Sequence, residues 1–391
     1  MRKVLLLTIG MFALGFDAYV ISGLLPKMEE TFKISASQAG QAVSIFTFCY
    51  ALAAPVFATI LAGKPMRNIL VLALAVFSIG NGASALAPTF STLLMARAIA
   101  GIGAGLYSPL AAAAAASLVP GQMRGRALGI TLGGMSTGTV AGVPLGLFIA
   151  EHLDWQTTLW FITALGFVAM IGIIISFPDF PASAPPSLQQ RFAMMAKGRV
   201  AAIISVTFIT SIASLGLYTY ISTILDNLKD TPSLAPYLWA WGIGGVIGSF
   251  SVGYFIDRTA RPKMLMAGIL TIMAFAMFCI PFALPFPILS FLPFVLWGAM
   301  GWASQAPQQH ELLRLQPNHG AAVVALNSSA NYLGSAVGSA LGGIVLLAGL
   351  TPSSLPFAAG CLVLAALLVQ WLIISSNRKR GNAKNMSDLM Q

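Results

Sequence analysis

The sequence predicts an all-α polytopic membrane protein. Twelve transmembrane helices are expected, in two six-helix bundles related as a parallel repeat, with both termini cytoplasmic. Three observations predict this. Of 391 residues, 57% are hydrophobic and only 8% charged, against roughly 25% charged in an ordinary soluble domain. The apolar residues fall in windows long enough to cross a bilayer, which takes about 20 residues. Glycines of the first half recur in the second at an offset of 196 residues. The composition excludes a soluble globular protein, which would lack charge for its surface, and a disordered one, which could not be so apolar.

The windows follow in order. The first covers 4–26. It opens Met1-Arg2-Lys3 and has no small-x-small cleavage site, so it reads as a retained helix and not a signal peptide. The next five cover 38–62, 68–88, 91–118, 126–150 and 155–177. The remaining six cover 200–226, 234–256, 263–281, 286–308, 320–349 and 353–375. Their runs are continuous and not alternating, so they are helices and not barrel strands. Pro and Gly punctuate most gaps. The long break at 178–199 carries Pro178, Pro181, Pro185 and Pro186, then Arg191, Lys197 and Arg199. It reads as a cytoplasmic linker. The expected organisation is therefore an N-terminal bundle over 1–177, the linker over 178–199, a C-terminal bundle over 200–375 and a cytoplasmic tail over 376–391.

Lys and Arg set the orientation. With the N-terminus inside, seventeen of the 21 basic residues fall on inner segments. Only Lys27, Lys33 and Lys229 fall outside, and Arg97 lies within a span. The net charge of +10 is thus a topology signal and not a nucleic-acid-binding face. Cys49, Cys279 and Cys361 are far apart in apolar stretches, and read as small buried hydrophobes.

Gly138, Gly142 and Gly146 recur as Gly334, Gly338 and Gly342, while Gly105 recurs as Gly301 and Arg67 as Lys263. A parallel repeat of this kind belongs to secondary transporters, with the substrate site between the halves near mid-membrane. Glycine at every fourth position lines one helix stripe and admits a neighbouring backbone. Packing is one reading of these glycines, and flexing during alternating access is an addition to it.

The acids can be placed one by one. Glu29, Glu30, Asp226 and Asp230 fall in outer loops, and Glu151 and Asp154 at the outer end of the fifth span. Asp179, Asp257, Glu311 and Asp388 fall at the inner edge. Only Asp17 lies well inside a helix, and Arg97 is its only basic counterpart. A charge at the bilayer centre costs roughly 2.5–3.5 kcal/mol, so such residues face a bundle interior or a wet cavity. Counting at 1.5 Å per residue puts Asp17 about 13 Å and Arg97 about 10 Å below their outer helix ends. The depths allow a pair. Burial favours a neutral carboxyl and a nearby guanidinium favours an ionised one, so Asp17 is the candidate protonatable switch and Arg97 its tuner. Position 213, the repeat partner of Asp17, is Ala213. A static ion pair holding the bundle is the competing reading.

Enzymes fare poorly. His310-Glu-Leu-Leu-Arg314 has Arg where a zinc-protease motif needs its second His. No phosphate-binding Gly-x-x-x-x-Gly-Lys-Ser/Thr loop is present. Gly101-Ile-Gly103-Ala-Gly105 lies inside an apolar span with no preceding strand, so it reads as helix packing. Nothing asks for a cofactor or a metal. Candidates for the substrate cavity are Tyr218, Tyr220, Trp302, Gln305, Asn327, Asn331 and Tyr332. Asn327 and Asn331 are four apart, hence on one face.

The chain resembles the major facilitator superfamily, in particular its twelve-span drug/proton antiporter branch, over nearly its whole length. Gly253-Tyr-Phe-Ile-Asp257-Arg258-Thr-Ala-Arg261-Pro-Lys263 is similar to that family's loop signature, which implies a cytoplasmic charge clasp holding the outward-facing state. Ala62-Gly-Lys64-Pro-Met-Arg67, the equivalent first-half loop, keeps basic residues but has no Asp. Arg97-Ala-Ile-Ala-Gly101-Ile-Gly103 resembles the fourth-span signature, whose Arg is implicated in proton coupling. Gly138-Thr-Val-Ala-Gly142-Val-Pro144-Leu-Gly146 resembles the fifth-span antiporter signature and is the main ground for efflux. The opening, Gly-Phe-Asp17-Ala-Tyr-Val-Ile-Ser-Gly-Leu-Leu-Pro26, is similar to first spans of bacterial sugar, purine and chloramphenicol exporters.

The resemblance implies a monomer in a bacterial inner membrane that exports a small organic molecule in exchange for protons. Its partners would be substrate, protons and lipid. Uptake on the same fold is the alternative. A non-transporting membrane sensor is a further one, which an extra soluble domain or long tail would favour.

Overall fold

The computed structural model describes residues 2–60, 64–120, 123–178, 193–228, 234–259, 261–316 and 320–388. The first half supplies α1 (Arg2–Phe32), α2 (Ala36–Ile60), α3 (Met66–Ala85) and α4 (Phe90–Ser117). Then come α5 (Arg124–Thr137), a π-helical turn (Gly138–Gly142), α6 (Val143–His152) and α7 (Trp155–Ser176). The second half supplies α8 (Gly198–Thr219), α9 (Ile221–Leu228), α10 (Ala235–Thr259) and α11 (Pro262–Ala283). It ends with α12 (Phe291–Ala303), α13 (Gln305–Leu315), α14 (Gly320–Leu347) and α15 (Leu355–Asp388). The fold is all-α, and each apolar window of the sequence falls on a helix or a broken helix. Ten helices among the described residues are long and apolar enough to cross a membrane.

Local chemistry explains the boundaries. Thr89 caps α4 through the Thr92 backbone N–H, and the Thr92 hydroxyl accepts from the Thr89 N–H in return, so two orphan donors are satisfied at once. Asp154 accepts from the Thr157 N–H to start α7. Pro262 occupies the first turn of α11, where its missing N–H costs nothing. After α14, Gly349 takes a φ of +81°, a conformation that suits glycine at a helix end.

Three differences from expectation stand out. Pro26 does not end α1, which runs on to Phe32 and carries Glu29 and Glu30 as helical residues. Asp226 likewise belongs to a helix, α9. The cysteines are free but not buried: Cys49 and Cys279 are half-buried and Cys361 is exposed on the bundle exterior. A thiol facing lipid loses no hydrogen bond to water, so nothing drives it inward. Most of the expected linker, 179–192, lies outside the described residues, as do Ala62 and Gly63 of the first-half loop.

In the first half α1 packs against α5, α6 and α7, and α3 packs against α4 and α7. In the second, α8 packs against α14 and α15, and α10 against α12. Contacts between the halves run chiefly along α2 and α14, with smaller ones between α1 and α9 and between α6 and α10.

The glycine repeat corresponds to one joint used twice. A Cβ on Gly138 would lie 2.2 Å from the Phe12 carbonyl oxygen, and one on Gly334 would lie 2.6 Å from that of Phe208. Phe208 follows Phe12 by the same 196 residues. In both halves the glycine stripe therefore brings two backbones to a distance that no side chain permits.

Candidate functional site

Asp17 and Arg97 meet. The Arg97 guanidinium donates to Asp17 Oδ1 at 2.6 Å, with the two side chains 1% and 0% exposed. Sequence reasoning missed the third member. Asn81 on α3 donates from Nδ2 to Asp17 Oδ2 at 3.1 Å and accepts from Arg97 at 3.2 Å. Its second N–H goes to the Phe77 carbonyl at 3.2 Å. The Arg97 guanidinium also lies over the Phe46 ring, 4.2 Å from its centroid, a favourable place for a desolvated cation. Both carboxylate oxygens thus hold a donor.

The π-helical turn sets the register of α1 beside this cluster. Pro144 lacks an N–H and its ring crowds the carbonyl four residues back. The widened turn at Gly138–Gly142 directly precedes it, and such turns often mark functional sites. Gly142 and Gly146 then receive the Phe16 ring, next to Asp17 in the chain. Gly101 on α4 faces the Phe46 carbonyl, at 2.3 Å from an added Cβ. The signature glycines therefore position α1 and α2 around the polar cluster.

A cavity of about 710 Å³ opens between the halves. Tyr19, Trp241 and Trp302 form its inner end, and Trp302 and Trp241 lie 6.2 Å apart, centroid to centroid. Tyr50 and Tyr332 stack across the halves at 3.8 Å in its wall. Its mouth lies among Ala116, Leu128, Leu313 and Val324, close in the chain to Arg126 and Arg314. The cavity therefore opens at the end of the bundle that carries the basic residues. Ser304 separates α12 from α13 and lines the cavity, a place where interrupted backbone is tolerated at membrane depth.

Of the sequence candidates, Trp302, Gln305, Asn331 and Tyr332 line the cavity. Tyr218 does not; it is buried behind Tyr19 and Trp241, 5.4 Å and 4.4 Å from them. Asn327 is fully buried but absent from the lining. Spacing by four overshoots a full turn of 3.6 residues, and the lining positions of α14 centre on Ser328 and Tyr332, so Asn327 falls at the edge of that face. Tyr220 belongs to the opposite end, where its hydroxyl donates to the Ser339 carbonyl at 2.7 Å.

That opposite end is closed by bonds between the halves. Ser44 and Ser339 share a hydrogen bond of 2.6 Å. Ser37 donates to the Gly343 carbonyl at 2.7 Å, and Ser222 to the Ser22 carbonyl at 3.1 Å. At the basic end, Gly253, Asp257, Arg258 and Arg261 are exposed. Lys263 instead pairs with the buried Glu311 at 3.2 Å, and Arg314 approaches Glu311 at 3.7 Å. Among the described residues Asp257 makes no ion pair.

Comparison with known proteins adds a family. The model of the Major Facilitator Superfamily matches residues 7–313. The inner membrane transport protein YdhP of Escherichia coli K12 is 29% identical, over 96% of each chain. The purine ribonucleoside efflux pump NepI of Shigella sonnei is 26% identical, over 88% of this chain and 87% of its own. Among solved structures, a D-xylose–proton symporter superposes with a TM-score of 0.76 at 19% identity, over 94% of this chain and 96% of that one.

Proposed function

This chain belongs to the major facilitator superfamily and is a membrane transport protein, not an enzyme; on that premise we propose that it exports a small organic molecule in exchange for protons, by alternating access, from a bacterial inner membrane. The observation that carries the reading is the buried Asp17–Arg97 pair, held by helices of the first half that also line the cavity between the halves. The pair joins α1, α3 and α4, with Phe46 of α2 over the guanidinium. Helices α1 and α2 of this half touch α9 and α14 of the other, so a change of protonation is passed to the junction between the halves. Asp17 takes the proton, and Arg97 sets how readily it does so.

The remaining signature residues have mechanical roles. Gly101, Gly138, Gly142 and Gly146, with Pro144 and the π-helical turn, form the joint on which α1 moves. Gly253, Asp257, Arg258, Arg261 and Lys263 form a clasp at the basic end in the outward-facing state. In the state described here the cavity opens at that end, and an exposed Asp257 accords with a clasp released. Similarity to a relative named as an efflux pump supports export over uptake.

The direction is tested in everted membrane vesicles. An exporter accumulates substrate when the vesicle interior is acid and releases it when the gradient collapses. Accumulation with the interior alkaline, and none with it acid, would establish uptake.

A further inference from the structure

The wall of the cavity carries no formal charge. Among the described residues that line it there is no Asp, Glu, Lys, Arg or His. Asp17 and Arg97 are buried behind the wall and are not part of it. A cargo with a net charge would leave water without meeting an opposite charge, which is strongly unfavourable. The lining offers two other things. One is the aromatic surface of Tyr19, Tyr50, Trp302 and Tyr332, which favours a flat ring. The other is an amide pair. Asn331 Oδ1 accepts from Ser211 Oγ at 2.6 Å and from Gln305 Nε2 at 3.0 Å. These bonds fix the rotamers and use up one end of each amide. The Asn331 NH2 is left as a donor and the Gln305 carbonyl as an acceptor, on two hydrogen-bonded side chains that both line the cavity, with no partner among the described residues.

Taking the cavity to be the transport site, we propose that the cargo is an uncharged, flat aromatic molecule carrying an adjacent acceptor and donor on one edge, as an amide, a lactam or a purine base does. The cargo's carbonyl accepts from Asn331 while its N–H donates to Gln305, and its ring lies against the tyrosines and Trp302. The cavity volume of about 710 Å³ suits a molecule of that size. Cargo and proton then occupy different places, and they are coupled through the movement of helices and not by competition for one carboxylate.

The test is equilibrium binding to the purified full-length protein in lipid nanodiscs, followed by quenching of tryptophan fluorescence, with no ion gradient. The uncharged probes are inosine, guanosine and nicotinamide. The charged probes are inosine 5′-monophosphate and tetraphenylphosphonium. At least one uncharged probe is expected to bind with a Kd below about 1 mM and at least tenfold more tightly than either charged probe. Asn331→Leu and Gln305→Leu should each weaken it about tenfold, since a buried hydrogen-bonding edge left unmatched is rejected strongly. Thermal unfolding of each variant identifies one that has not folded, and Gln305→Glu then serves as the second variant. Its added charge should weaken the neutral probe and admit tetraphenylphosphonium. Binding of a charged probe as tightly as every neutral one, or of no neutral probe, overturns the proposal. Neutral binding without flux in proteoliposomes would sink the transport reading and leave the cargo class standing.

Discussion

Ser44 on α2 and Ser339 on α14 share a hydrogen bond of 2.6 Å across the two halves of the chain, with both hydroxyls buried. Together with Ser37 and Ser222 it closes the end of the cavity remote from the basic residues. If that closure is one phase of a cycle, fixing it must stop the cycle. In a variant with Cys49, Cys279 and Cys361 changed to Ser, Ser44→Cys and Ser339→Cys are expected to form a disulfide under oxidant. Substrate flux in proteoliposomes should then fall to background and return with dithiothreitol. Undiminished flux in the oxidised, cross-linked protein would show that transport does not require this contact to part.

Asp17→Asn keeps the shape of the side chain and removes the protonatable oxygen. It also strips the buried Arg97 of its counter-ion, so thermal stability is expected to fall and flux is compared per amount of folded protein. Accumulation driven by a pH gradient should drop at least about tenfold, while gradient-free exchange of substrate continues. Normal gradient-driven flux would show that the proton travels elsewhere.

Arg97→Gln leaves a buried carboxylate without its cation. Breaking a buried pair by removing one partner costs about 3–5 kcal/mol, so thermal unfolding in detergent should begin at a clearly lower temperature. Asn81→Ala should cost less, about 1–3 kcal/mol, since it strands hydrogen-bonding groups but leaves the charges paired. Adding Asp17→Asn to Arg97→Gln should recover part of the loss, because the two changes are coupled. Full additivity of the two would argue against the pair.

Gly138→Ala and Gly129→Ala make a controlled comparison on one helix. The added Cβ would lie 2.2 Å from the Phe12 carbonyl at position 138 and would meet nothing within 4 Å at position 129. The first should lower stability by about 1–3 kcal/mol, as overpacking does, and slow transport. The second should leave transport unchanged and raise stability by up to about 1 kcal/mol, the helix-propensity gain of Ala over Gly. Gly334→Ala should behave as Gly138→Ala does, because it forces apart the matching joint against Phe208. Equal effects at 129 and 138 would show that backbone proximity is not what these glycines provide.

What the sequence made legible follows from contrast. Asp17 and Arg97 stand out because a charge in an apolar span is rare and expensive, and similar depth allowed a pair without deciding it, since which way each helix turns its side chains is set by its neighbours. The glycine joint was legible because its spacing repeats, although the carbonyls it faces were not. Asn81 was hidden because a neutral amide between Gly80 and Gly82 looks like any polar residue in a helix contact. Asn327 and Asn331 could not be told apart, since a helix's rotation about its own axis is set by its neighbours and not by its own pattern. The serines that close one end were silent for a similar reason, as two of them bond to backbone carbonyls that every residue possesses.

The buried pair has an electrical consequence. With Asp17 ionised, the charges of Asp17 and Arg97 sum to zero. A proton on Asp17 leaves Arg97 uncompensated, and the helices around it carry one positive charge into the membrane field. A charge crossing that field exchanges about 2.3 kcal/mol for every 100 mV. When the cargo and the cavity wall are both neutral, that proton is the only charge in transit. Voltage alone, interior negative, would then keep the cycle turning in the export direction after the pH difference has gone.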